Sequence, residues 1–173
     1  MAWYDALDAS HTVTHELEIG ARLLLAAAAG AAIGLERESK DRPAGLRTNM
    51  LVAVAAALFT LITFEIYNDF RGAKGDPIRI IEAVTAGVAF LAAGTIIHGR
   101  SSVHGLTTGA AMWMAGALGV CCGAGYYTLA LMATVLTVLI LYVLNQVDVG
   151  NTRKGVVPEM RRKQNSDDGA SDK

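Results

Sequence analysis

Cysteine, proline and net charge are all scarce in this sequence, and each scarcity removes a class of protein. The two cysteines, Cys121 and Cys122, are adjacent, so they cannot bridge distant elements, and no disulfide framework or zinc-ligand spacing exists. A net charge of -1 excludes a nucleic-acid binder that relies on a surplus of Lys and Arg facing phosphates. Enzyme signatures are missing too. There is no P-loop, no Gly-rich dinucleotide turn, no hydrolase Ser motif and no paired-His zinc helix, so no catalytic residues are assigned and no enzyme is expected.

What is present is apolar length. Hydrophobic residues make up 53% of the 173 residues and charged ones 18%, with 18 glycines against 3 prolines, which is a membrane composition. Five apolar runs approach the ~20 residues that a bilayer-crossing helix needs: 19–35, 48–67, 80–97, 105–123 and 126–147. The expected fold is an all-α integral membrane protein with five transmembrane helices. The acidic leader before residue 19 lacks the basic n-region of a secretory signal, so the first run is read as a span. The expected organisation is an external segment 1–18, a membrane domain 19–147 and a polar tail 148–173 with too little apolar content to build a core. Basic residues in that tail are positioned to meet anionic headgroups.

Lys and Arg set the orientation, because short loops rich in them stay cytoplasmic. With the N-terminus outside and the C-terminus inside, Arg37, Lys40, Arg42, Arg47, Arg100 and the tail cations are cytoplasmic, leaving Arg22, Arg71, Lys74 and Arg79 outside. The charged stretch "GLERESKDRPAGLRTN" then joins the first two spans on the cytoplasmic side. It can meet "AAGTIIHGR" and "SSVHGLTTG" there, forming a polar cluster of Glu36, Arg37, Glu38, Arg47, Thr48, Asn49, Arg100, Thr107 and Thr108. Charges at a bilayer boundary are costly unless paired, so Glu36 or Glu38 is expected against Arg47 or Arg100. The cluster either fixes helix ends or forms a contact surface.

The opposite end carries a surplus of carboxylates, including Glu16, Glu18, Glu65, Asp69 and Glu82. One reading is that acidic loops translocate easily; the other is a weak outer magnesium site, with no further cofactor expected. Arg22 and Glu82, at similar expected depth, are expected to pair as a clamp or vestibule wall. Helix packing is expected at Ala26, Gly30 and Gly34 in the first span, at Gly87 and Gly94 in the third, and at Ala115 and Gly119 in the fourth. Small residues spaced by four let backbones approach closely in lipid. On the third span Ala86, Ala89 and Ala93 share the Glu82 side and are expected to pack with it. The fifth run, without glycine before residue 150, is expected to face lipid. His98 and His104 are read as interfacial polar residues, since a metal site would need a third ligand.

The runs "RLLLAAAAGAAIGLERE", "AGLRTNMLVAVAAALFTL", "AGVAFLAAGTI", "VHGLTTGAAMW" and "GALGVCCGAGYYTLALMATVLTVLIL" resemble, in order, the MgtC/SapB family of bacterial inner-membrane proteins. The matching positions are Gly34 to Glu38, Ala44 to Thr48 and Gly105 to Thr108, while Ala89 and Ala92 stand where the family usually has glycine. The resemblance implies a bacterial inner-membrane, multi-pass protein that regulates other membrane proteins during adaptation to low magnesium, with a virulence-type role. The implied partners are the bilayer, a second membrane complex such as an ATPase, and further copies of the chain. Some members carry a soluble C-terminal domain that would begin about where this sequence stops, so its properties are not carried over. A magnesium or small-ion transporter or channel is the alternative function.

Overall fold

A computed structural model of the chain describes residues 2–69, 78–98 and 103–152, with side chains placed for 13–68, 78–96 and 104–143. Five helices account for nearly all of it: α1 (Ala2–Glu38), α2 (Leu46–Asp69), α3 (Ile78–Gly94), α4 (Leu106–Gly123) and α5 (Tyr127–Thr152). The exception is a short antiparallel ribbon between α3 and α4, β1 (Ile97–His98) and β2 (Val103–His104). The chain forms two units, Met1–Val138 and Leu139–Lys173. In the second unit the described residues continue α5, and Leu139, Ile140, Tyr142 and Val143 are exposed.

Three described stretches are long and apolar enough to cross a membrane: Val13–Glu38, Leu46–Asn68 and Leu106–Gly123. The third helix differs from its expected span, beginning at Ile78 and ending at Gly94 after 17 residues. It stops because Thr95 turns back, its Oγ1 donating to the Ala92 carbonyl at 2.7 Å, and the chain then enters the ribbon. Gly105 closes this connection at φ 88. A Cβ there would collide with the Thr95 carbonyl oxygen, so glycine is required both by conformation and by space. At the other end of the molecule, α1 runs from Ala2 to Glu38.

Why the helices stand as they do follows from their small residues. α1 and α2 run antiparallel: a Cβ on Gly30 would lie 2.5 Å from the Asn49 carbonyl oxygen, and one on Gly34 2.6 Å from Leu46 Cα. α2 and α4 run parallel, with Gly119 against the Ala53 carbonyl and Gly123 against that of Ala57. Backbone contact this close needs no side chain in between, which is how helices gain dispersion energy in lipid. Ala26, Ala57, Cys122 and Ala130 form a buried cluster to which α1, α2, α4 and α5 each contribute one residue. Cys122 serves there as a small apolar group.

The third helix packs mainly on α4, through Val84, Val88 and Ala92. Val88 fills the space at Gly116 and Ala92 lies against Gly109. The expected packing face is therefore corrected. Glu82, Ala86, Ala89 and Ala93 are exposed, and a Cβ at Gly87 or Gly94 would meet nothing within 4 Å. α3 supplies the bulky side chains and α4 the glycines that receive them.

Hydroxyls inside the apolar helices are satisfied locally. Thr60 and Thr63 donate to the carbonyls of Ala56 and Phe59, and Thr134 and Thr137 to those of Ala130 and Ala133. This bond to the preceding turn lets threonine sit where no water can pair with it. In the first unit α5 exposes Leu129, Leu131, Met132, Val135 and Leu136.

Candidate functional site

The C-terminus of α1, the N-termini of α2 and α4, and the C-terminus of α3 meet at one end of the bundle, because helices consecutive in the chain alternate in direction. The α1–α2 connection begins with a tight turn in which the Lys40 N–H donates to the Arg37 carbonyl at 3.3 Å and the Arg42 N–H to the same carbonyl at 3.0 Å. Pro43, lacking an N–H, prevents helix from continuing through it. Ala44 then adopts φ 54, a left-handed conformation that costs a non-glycine residue about 1–2 kcal/mol. Asn49 holds this loop in place. Its Nδ2 donates to the Ala44 carbonyl at 2.6 Å and to that of Gly45 at 3.0 Å, and its side chain is fully buried.

Two charged residues of α1 divide the work at this end. Glu38 Oε2 accepts from the Leu46 N–H at 2.8 Å, an anionic cap for the first turn of α2. Arg37 is 5% exposed and donates through a terminal nitrogen to Thr108 Oγ1 at 2.7 Å. The expected pairing of Glu36 or Glu38 with Arg47 is corrected accordingly. Glu38 is used on a backbone donor, Arg47 points outward and is exposed, and the buried cation is Arg37, held by a hydroxyl. Arg100 lies outside the described residues. Thr107 is exposed and Thr48 half-buried. Arg37 Nε, Glu36 Oε2 and Asn49 Oδ1 are buried without a partner among the described residues.

At the far end of α1 a second arginine reaches α4. Arg22 donates to the Gly123 carbonyl at 2.9 Å, supplying a cation and a donor to the C-terminus of α4, where the helix dipole favours both. Its other terminal nitrogen meets Glu18, one turn earlier. The expected Arg22–Glu82 clamp is thereby replaced by a pair within α1. α1 packs on α2 and α4 while α3 packs on α4 and, less extensively, α2, so the two helices that would carry that clamp do not share a face. Fifteen residues separate Arg22 from Arg37, and fifteen separate Thr108 from Gly123, about 22 Å of helix rise in each case. α1 is thus pinned antiparallel to α4 at both ends by arginines.

A sequence model of the MgtC family matches residues 23–149. The chain belongs to the MgtC family. It is 39% identical to "Putative magnesium transporter YhiD" of Escherichia coli K12 over 129 residues, covering 73% of this chain and 60% of that protein. It is 42% identical to "Protein SrpB" of Synechococcus elongatus over 134 residues, 72% of this chain and 74% of SrpB. With "Protein MgtC" of Brucella abortus it shares 40% identity over 111 residues, 64% of this chain and 44% of that protein. The match with YhiD thus spans less than two thirds of that protein's length. No solved structure matches the chain.

The segment matched to the MgtC family contains the polar residues of the Arg37–Thr108 end, whereas Glu18 and Arg22 precede it. These two, with His15 and Ile19, present one helical stripe towards Leu61, Phe64, Glu65 and Asn68 of α2, lining a half-open cavity of about 240 Å³. His15 Nε2 lies 3.3 Å from Glu65 Oε1 across it. Among the described residues no group of three or more His, Cys, Asp or Glu side chains is placed to hold a metal ion, and the side chain of Asp69 lies outside them. In the ribbon the register pairs Ile97 with His104 and His98 with Val103. The partnership of Glu18 with Arg22 and that of His15 with Glu65 were missed from sequence. The first had a signal, the i, i+4 spacing; the second depends on how α2 lies against α1.

Proposed function

We propose that this MgtC-family chain is a non-enzymatic, membrane-embedded regulator of magnesium homeostasis and low-magnesium adaptation, acting through contacts with another membrane protein complex. It crosses the bacterial inner membrane five times with the N-terminus outside, so the Arg37–Thr108 end is cytoplasmic. The magnesium link rests on the family and on the names of YhiD and MgtC. An ATPase is one kind of partner, a second copy another, and a virulence-type role follows where growth inside a host imposes low magnesium.

The observation that carries the contact reading is the distribution of polarity. Between the arginine-marked ends, α1, α2 and α4 are filled by Ala26, Ile33, Ala53, Ala57, Ala115 and Leu118, all buried, a packing unsuited to passing a hydrated ion. The inner end instead exposes Arg42, Arg47 and Thr107 around its buried polar residues. Exposed, rigidly supported charge at a membrane surface fits a docking role. Arg47→Glu is expected to abolish complementation of low-magnesium growth and crosslinking to the partner complex while leaving protein levels unchanged. Wild-type growth of that variant overturns the contact reading.

The transporter reading has one observation in its favour, the cavity lined by Glu18 and Glu65. It is tested by magnesium flux in proteoliposomes. Saturable uptake that disappears in the Glu18→Gln, Glu65→Gln double variant replaces regulation by transport, and flux equal to that of empty liposomes removes it.

A further inference from the structure

Below Arg22, on the same side of α1, a second depression runs into the apolar part of the bundle. It is a cleft of about 220 Å³ between α1 and α5, lined by Leu25, Ala28 and Ala29 on one side and Tyr127, Ala130 and Thr134 on the other. Glu18, Arg22, Leu25 and Ala29 are spaced i, i+4, i+7 and i+11, which is a single stripe along a helix. A charged pair therefore stands directly over an apolar slot. Tyr127 joins them, lying beside the Arg22 guanidinium while also lining the cleft.

Depth supports reading the two parts as one site. Arg22 meets the C-terminal carbonyl of α4, a helix of 18 residues whose ~27 Å rise is close to the hydrocarbon thickness of a bilayer. The charged pair then sits at the headgroup level of one leaflet, and the cleft lies just inside the hydrocarbon. Glu18 is half-exposed, and its carboxylate has lone pairs beyond those used by Arg22. The guanidinium likewise has five N–H donors, more than one bond each to Gly123, Glu18 and Tyr127 would use. An opposite-charge pair with spare capacity on both members complements a ligand that is itself both anion and cation.

We propose that this is a phospholipid site selective for a primary-amine zwitterionic headgroup of the ethanolamine type. The lipid phosphate accepts from Arg22, its ammonium donates to Glu18, and one acyl chain occupies the α1–α5 cleft. A headgroup with net negative charge meets repulsion from Glu18. A choline headgroup has no N–H to give that carboxylate and keeps only the weaker Coulombic attraction. The site is independent of the regulatory reading and of which leaflet faces the cytoplasm.

The test is native mass spectrometry of the full chain released from micelles with equal amounts of dioleoyl phosphatidylethanolamine, phosphatidylcholine and phosphatidylglycerol. Phosphatidylethanolamine adducts are expected in excess by about tenfold, the scale of one charge-assisted hydrogen bond. Glu18→Gln is expected to reduce them to the phosphatidylcholine level. Ala29→Phe, which fills the cleft, is expected to remove adducts of all three lipids, and Thr134→Leu fills it from the α5 side should Ala29→Phe not fold. Equal retention of the three lipids, or an ethanolamine preference that survives Glu18→Gln, overturns the proposal. So does a cleft-filling variant that changes oligomeric state without changing lipid retention, which would assign the cleft to a second copy of the chain.

Discussion

Asn49 shows how much a single side chain contributes at the Arg37–Thr108 end. It lies fully buried and joins the start of α2 to the two carbonyls that precede it. Through them it holds Ala44 at its positive φ. Asn49→Leu, similar in size, leaves both carbonyls without this donor. The expected destabilisation is about 1–3 kcal/mol, the cost of unsatisfied buried polar groups, read as a lowered midpoint of thermal unfolding in detergent. An unchanged midpoint would mean that the loop holds itself. Sequence placed Asn49 in the polar cluster but gave no reason to prefer it over Arg47, because both are polar residues beside a helix start. Burial separates them: Asn49 has no exposure, and Arg47 is open to solvent.

At the scale of helices, the glycines fall into two kinds that periodicity alone cannot tell apart. Gly30 and Gly119 touch the backbone of a neighbour, whereas Gly87 faces open space. Gly30→Ala is expected to separate α1 from α2 and destabilise the bundle by roughly 1–3 kcal/mol, the usual range for overpacking. Gly87→Ala is expected to do the opposite, stabilising α3 by about 0.5–1 kcal/mol through helix propensity. Steric trapping or denaturant titration of the two variants checks both signs, and a destabilised Gly87→Ala protein would restore that glycine to a helix contact. Small residues at helical spacing signal close approach only where a neighbour's backbone or side chain occupies the space they leave. α3 approaches α4 the other way round, with Val88 entering the space over Gly116.

At the scale of the molecule, the directions of α1, α2 and α4 are fixed by contacts at named ends: Arg37 on Thr108, Arg22 on Gly123, Glu38 on the N–H of Leu46. This arrangement brings Lys40 and Thr107 to one end, the one proposed to be cytoplasmic, and Glu16 to the other. With both native cysteines changed to alanine, a cysteine at Lys40 is expected to react with a membrane-impermeant maleimide only in inside-out vesicles, and one at Glu16 only in right-side-out cells. The reverse pattern would invert the proposed orientation while leaving the fold intact.

The sequence by itself determined that the chain is helical and apolar enough for a membrane, where most helices lie, and that the cytoplasm-assigned polar segments adjoin helix ends. Those properties reside in apolar run length and in motif order along the chain, which are local. Only the tertiary structure decided which charges meet. Sequence offered Arg22 a partner on α3, but Glu18 is already within reach one turn away and α4 presents a helix C-terminus beside it. It offered Arg47 a carboxylate, but Glu38 caps α2 and the buried cation is Arg37. A charged side chain reaches only as far as its own length, so its partner depends on which helix faces lie within that reach. Those faces are set by the fit of glycines against backbone and valines against glycines, a matter of shape that no count of residues along the chain contains.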